Sequence, residues 1–110
     1  AKAHDAAELK PEAWLAIAVR LLTSGGSLAA IFRPESLAAC LAAIERTCGA
    51  VRILPVHMKD DDAAKRVLLR AIKGRKTPMT LLPGLVLHEP KGGFTNTARA
   101  IFDGTGKLMD

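Results

Sequence analysis

Along this chain the apolar positions switch from helical spacing to unbroken runs and back, then dissolve among prolines. Leu15, Ala18, Val19 and Leu22 recur at helical spacing behind Pro11, a residue suited to a first turn, which predicts a helix through Leu22. Gly25-Gly26 is expected to end it through the left-handed conformation that glycine tolerates best. Ser27–Phe32 is a continuous apolar run, the pattern of a strand buried on both faces of a parallel sheet.

Pro34 and Glu35 open a second helix, proline in its first turn and a carboxylate near its positive end. Leu37, Leu41, Ile44 and Cys48 make its apolar stripe, and Gly49 is expected to stop it. Residues 51–56 read as another strand; Pro55 places it at a sheet edge or near its own end. A polar connection with Asp60-Asp61-Asp62 follows. Residues 65–73 then alternate around Val67, Leu69 and Ala71 as far as Gly74, which points to an antiparallel hairpin.

Pro78, Pro83 and Pro90 partition the last third, leaving at most a short strand at 85–88. Thr95 is placed to cap a last short helix through Phe102, and Gly104-Thr105-Gly106 loosens the tail. The pattern alone is that of an α/β unit, ordered helix-strand-helix-strand-strand. Residues 1–76 form its body, and 77–110 an irregular extension packing on it.

Composition narrows the class. At 110 residues this is one small domain, able to bury roughly 65% of its unfolded surface. Hydrophobic residues make up 49% and charged residues 25%, which excludes a disordered or fibrous chain. No apolar run reaches the ~18 residues of a membrane span, because Arg20, Arg33, Arg52 and Arg70 interrupt them. The start, Ala1-Lys2-Ala3-His4-Asp5, is too polar for a signal peptide, and its lack of Met fits a chain trimmed from something longer. Cys40 and Cys48 fall in one predicted helix, about 12 Å apart at eight residues' rise and too far for a disulfide. Reduced thiols suit a cytoplasmic protein. The net charge of +5 is compatible with nucleic acid without requiring it.

One joint makes the pattern more specific. Leu21-Leu22 with Gly25-Gly26, leading into Ile31-Phe32-Arg33, resembles a late segment of Rossmann-like methyltransferases that use S-adenosylmethionine. From about His4 onward the chain is similar to the C-terminal half of bacterial adenine-N-methyltransferases that modify valine tRNA beside the anticodon. Arg52-Ile53-Leu54-Pro55, Lys65-Arg66-Val67-Leu68, Leu81-Leu82-Pro83-Gly84-Leu85-Val86-Leu87-His88-Glu89 and Gly93-Phe94-Thr95 carry that likeness. The resemblance implies the end of a class I methyltransferase sheet, whose last hairpin inserts an antiparallel strand beside the fifth parallel one. It also implies, for the intact parent, methyl transfer from S-adenosylmethionine to an exocyclic adenine amine.

The family's glycine-rich cofactor loop, acidic ribose-binding residue and Asn-Pro-Pro-aromatic motif have no counterpart here. No catalytic, cofactor-binding or metal residue is therefore carried over, and the chain alone is expected to bind no cofactor. Its expected partners are tRNA, through the intact enzyme, and the missing N-terminal half. Lacking its upstream neighbour, Ser27–Phe32 would show a flat apolar edge, which predicts self-association. The alternative is a stand-alone, non-enzymatic binding or assembly module that reuses the half-fold.

Ligands in open α/β sheets sit beyond the carboxyl ends of the parallel strands. Arg33 follows the first strand, His57 and Lys59 follow the second, and Lys65-Arg66 returns to that side if the next strand is antiparallel. Arg33, Lys59, Lys65 and Arg66 are thus the candidate phosphate contacts, although Lys59 and Lys65 can equally pair with the neighbouring aspartates. Arg70, Lys73, Arg75 and Lys76 read as a solvated turn at the far end. His88-Glu89 lacks a zincin helix's second histidine, and His88 reads as a hydrogen-bonded structural histidine. His4-Asp5 has no partner histidines at suitable spacing, and the three aspartates lack a calcium loop's glycine and glutamate. Trp14 reads as core or helix packing rather than a base-stacking platform.

Overall fold

The computed structural model describes residues 9–89 and 93–102; His4-Asp5 and the Gly104-Thr105-Gly106 tail lie outside them. Helix α1 (Pro11–Leu21) has Pro11 in its first turn and Arg20 in its last, and buries Leu15 and Val19, one turn apart. It closes without a glycine. Leu22 is already extended (φ −78°, ψ 145°) while its N–H still reaches the Ala18 and Val19 carbonyls. Gly25 is left-handed, φ +89°, but in the turn into the next strand.

Strand β1 (Ser27–Phe32) alternates rather than being buried throughout. Leu28 and Phe32 are buried, whereas Ile31 on the opposite face is 61% exposed. The expectation of two covered faces fails because both long helices pack on one side. Pro34–Ser36 is a single 3-10 turn that hands over to helix α2 (Leu37–Ile44), whose buried residues are Cys40 and Ile44.

The second helix is shorter than its apolar stripe predicts. Thr47 turns the chain by donating both its N–H (3.1 Å) and its hydroxyl (3.4 Å) to the Ile44 carbonyl. Cys48 then opens strand β2 (Cys48–His57), opposite Lys73 of strand β3 (Arg66–Lys73). The two cysteines therefore do not share a helix; both are buried free thiols. Gly49 is a strand residue, not a helix stop. A Cβ there would lie 2.2 Å from the Arg75 carbonyl oxygen, so the later chain crosses directly over it. Between Gly49 and Arg52 the register shifts, two residues of β2 facing one of β3, and Ala50 takes φ +50° in that bulge.

As the hairpin pattern implies, β3 runs antiparallel to β2; as the resemblance implies, it is inserted beside β1, antiparallel to that strand too, so β1 and β2 run the same way without pairing. β2 is not an edge. Strands β4 (Thr80–Leu81) and β5 (Leu85–Val86) both pair parallel to its far side, one strand more than the prolines suggested. There the Ile53 and His57 carbonyls accept from the Leu82 and Leu87 N–H groups. Alternation turns the Pro55 nitrogen toward the gap between β4 and β5, where no ladder bond is lost. Helix α3 (Asn96–Phe102) is capped as its sequence predicts: the Ala98 N–H donates to Thr95 Oγ1 at 3.1 Å.

The main core joins Leu15, Val19, Cys40 and Ile44 of the helices to Phe32, Leu69 and their neighbours on one sheet face. On the other face a smaller cluster gathers Leu54, Leu68, Leu82, Leu85 and Leu87. No helix among the described residues is long and apolar enough to cross a membrane.

Candidate nucleic-acid interface

β1 and β2 deliver their carboxyl ends to the end of the sheet where β3 begins. Phe32 pairs with Val67, so Arg33 and Arg66 flank the same rung. Arg33, Lys65 and Arg66, with Pro34, Glu35 and Ala64, line an open cavity of about 410 Å³. All three cations are exposed, and Arg66 Nη1 donates to the Lys65 carbonyl at 2.7 Å, which holds the guanidinium over the cavity's rim. Three cations against the Glu35 carboxylate leave a net positive surface on a scale shorter than a Debye length. That suits a phosphate backbone.

Lys59 is not brought into this group. It is exposed in the loop joining β2 to β3, outside the cavity's lining. That loop is clasped by His57, whose Nδ1–H donates to the Asp62 carbonyl at 2.7 Å, and by the Asp62 N–H on the Lys59 carbonyl at 3.2 Å. The other side of the His57 ring lies against Gly84, where a Cβ would stand 2.7 Å from Nε2. The clasp was not legible from His57 alone; the glycine of the Leu-Leu-Pro-Gly segment was its available sign. Among the described residues no group of three or more His, Cys, Asp or Glu is placed to hold a metal.

His88 is structural, as read. Its ring stacks on Phe94 with centroids 5.0 Å apart, its Nδ1 lies 3.3 Å from the Gly93 carbonyl, and its N–H donates to the Met58 carbonyl. Trp14 is different from its expectation: it is 52% exposed and belongs to a groove beside β1, not to the core.

No protein-family model matches the sequence, and no curated protein does. Six chains of solved structure match it. One is described as a predicted O-methyltransferase, protein Atu636 from Agrobacterium tumefaciens, 32% identical over 88% of this chain with a TM-score of 0.79. The fold is methyltransferase-like. The chain spans 47% of that structure, about half its length.

The far end of this methyltransferase-like sheet corrects one further expectation. Lys73 is no solvated turn residue: its Nζ donates to the Val19 and Leu22 carbonyls at 2.8 and 2.7 Å. Arg75 and Lys76, with Arg46 and Glu45, rim a second cavity of about 490 Å³ floored by Leu41 and Ile44. The basic run thus divides into Arg70 within β3, half-buried and opposite Ala29 and Arg52, the Lys73 cap, and the Arg75-Lys76 rim, which charge spacing alone did not reveal.

Proposed function

We propose that this chain is the C-terminal half of an S-adenosylmethionine-dependent methyltransferase that acts on an adenine amino group of tRNA. Its own part is to complete the sheet and contact RNA phosphates; the donor pocket and the catalytic groups belong to the other half. The observation that carries this is the convergence of Arg33, Lys65 and Arg66 at the strand ends of a methyltransferase-like fold. A rim of three cations and one carboxylate recognises a polyanion, and a transfer RNA is the polyanionic acceptor that the Lys65-Arg66-Val67-Leu68 and Leu81–Glu89 likenesses (residues 81–89) favour. The Agrobacterium structure is described with an oxygen acceptor, so the acceptor atom is the point to test.

The test joins this sequence to the rest of such a fold and supplies labelled S-adenosylmethionine with bulk tRNA. Methyladenosine in the digested RNA is the expected product. Methylation at oxygen, or transfer to small phenols but not to RNA, would replace the reading. Calorimetry on the 110-residue chain should show no S-adenosylmethionine binding, and a micromolar constant there would refute the division of labour.

A further inference from the structure

We propose that the cavity between the end of α2 and the chain that follows β3 is a binding site for a small amphipathic anion, an aliphatic tail ending in a carboxylate or phosphate. It lies at the opposite end of β3 from the Arg33, Lys65 and Arg66 cavity and stands apart from the RNA reading. Arg46 reaches it from the turn after α2, and Arg75 and Lys76 from the segment after β3, against the carboxylate of Glu45. All four side chains are exposed, so the mouth is net positive on a scale shorter than a Debye length. The negative end of α2 is partly answered there, because the Ile44 carbonyl accepts from both the N–H and the hydroxyl of Thr47.

Beneath that mouth the lining is aliphatic: Leu41, Ile44, Val51 and Met79, of which Ile44 and Val51 are buried and Met79 is half exposed. The volume of about 490 Å³ falls among small-ligand sites, in which a few polar groups stand over an apolar floor. The cavity at the strand ends has the cations without the floor, since its apolar lining is Pro34 and Ala64. One end of the sheet therefore fits a polyanion, and the other an anion with an apolar body. No aromatic ring lines the floor, so it offers contact to an alkyl chain and no face on which a base would stack. Met79, unbranched and adaptable, lets that contact follow chains of different shape.

Backbone bonds fix the walls before any ligand arrives. The Gly74 N–H donates to the Thr47 carbonyl at 2.8 Å and the Ala50 N–H to the Thr77 carbonyl at 3.2 Å, which ties residues 74–77 across the start of β2. That crossing needs the bare Cα of Gly49 and comes with a left-handed Ala50, φ +50°. Strain of this kind persists where surrounding structure over-determines it, and it gathers at ligand clamps. Here the strained bulge is the cavity wall, with Gly49 and Val51 in the lining on either side of Ala50. A mouth held open in this way spares a ligand much of the cost of ordering it.

The experiment titrates the 110-residue chain by calorimetry with hexyl, octyl and decyl phosphate and with decanoate, below the concentrations at which they aggregate. One-to-one binding is expected, and the ratio of decyl phosphate to decanoate affinity names the headgroup. Each added pair of methylenes should tighten binding about tenfold as it is buried on the floor. Decanol, tail without charge, and inorganic phosphate, charge without tail, should each bind at least about tenfold more weakly than decyl phosphate. Arg75→Ala combined with Lys76→Ala should weaken decyl phosphate by about tenfold or more. Met79→Glu, at an exposed position, should do the same while leaving the urea midpoint in place. Lys65→Ala and Arg66→Ala, at the far end, should change it less than about twofold. Affinity that does not grow with chain length, indifference to all three near-end substitutions, or an equal loss from the far-end ones overturns the site. So does the absence of heat and of amide shifts at residues 41–51 and 75–79 with millimolar ligand. A short single-stranded RNA that displaces decyl phosphate with equal affinity also overturns it, and makes both ends of the sheet polyanion surface.

Discussion

The Lys73 ammonium donates to the Leu22 carbonyl oxygen at 2.7 Å, from the last residue of β3 to the residue that closes α1. A second bond, to the Val19 carbonyl at 2.8 Å, makes this cation the cap of a helix end that uses no glycine. Two things favour it: the Leu22 carbonyl gains a donor and the Val19 carbonyl, which already accepts from the Leu22 N–H, gains a second one, and the negative end of the helix dipole gains a positive charge.

Lys73→Met keeps the aliphatic stem and removes only the charged donor. It should cost about 2 kcal/mol, the scale of hydrogen bonds to a charged group at a half-buried helix end. Urea unfolding monitored by circular dichroism measures this directly. A loss under about 0.5 kcal/mol would show that water caps the helix as well as the lysine does.

Neighbouring residues in the β2 bulge should respond with opposite signs. Gly49→Ala drives a Cβ to 2.2 Å from the Arg75 carbonyl oxygen, a backbone atom that cannot swing aside. It should lose about 3 kcal/mol, the upper range for overpacking. Ala50 already sits at φ +50°, where an L-residue is strained by roughly 1 kcal/mol or more. Ala50→Gly should therefore stabilise by about 0.5 kcal/mol once glycine's greater freedom in the unfolded chain is deducted. The pair of urea midpoints decides it, and the same sign for both variants would mean the bulge relaxes freely.

The order of elements was legible because each carries its own period and punctuation: Pro11 and Pro34 open their turns, and Thr95 caps its helix. The hairpin was legible too, since a short connection between two apolar runs leaves few other pairings. What failed were boundaries set by tertiary contact. Helix α2 ends at Ile44 because Cys48 and Gly49 pair with Lys73 and Ile72, a contact that local spacing does not encode. β1 looked buried on both faces because its run is continuously apolar, but both long helices pack on one side and leave Ile31 exposed on the other. Of the four candidate phosphate contacts, three converge because strand direction dictates it; Lys59 does not, because a clasped loop obeys His57 and Asp62 rather than the sheet.

Alkaline pH should expose Cys40. Burial pushes its thiol above the ordinary value of 9.0, and the Glu12 carboxylate adds to the rise. The folded state thus favours the neutral thiol more than the unfolded state does. Its contribution is complete below the unfolded pKa and is lost as pH climbs through the raised folded one. Urea midpoints should fall from about pH 9 upward, and Cys40→Ala should flatten that part of the decline even though it lowers stability at neutral pH. An unchanged slope in the variant would assign the decline to other groups.

The phosphate reading makes a quantitative demand on salt dependence. In a protein that joins this chain to the rest of the fold, tRNA affinity should fall linearly on a logarithmic salt scale, with a slope counting the phosphates neutralised. Arg33→Ala, Lys65→Ala and Arg66→Ala should each reduce that slope by about 0.7 to 0.9. Glu35→Gln, which removes the carboxylate from the same rim, should tighten binding without steepening the slope by more than a fraction of one contact. Lys59→Ala should have the smaller effect, since its loop holds it away from the cavity. Filter binding between about 50 and 200 mM salt covers the range in which such contacts change affinity by orders of magnitude. If Arg75→Ala and Lys76→Ala, at the opposite end of the sheet, shift the slope as much as the three rim residues do, the attraction is diffuse charge and no RNA path runs over the ends of β1 and β2.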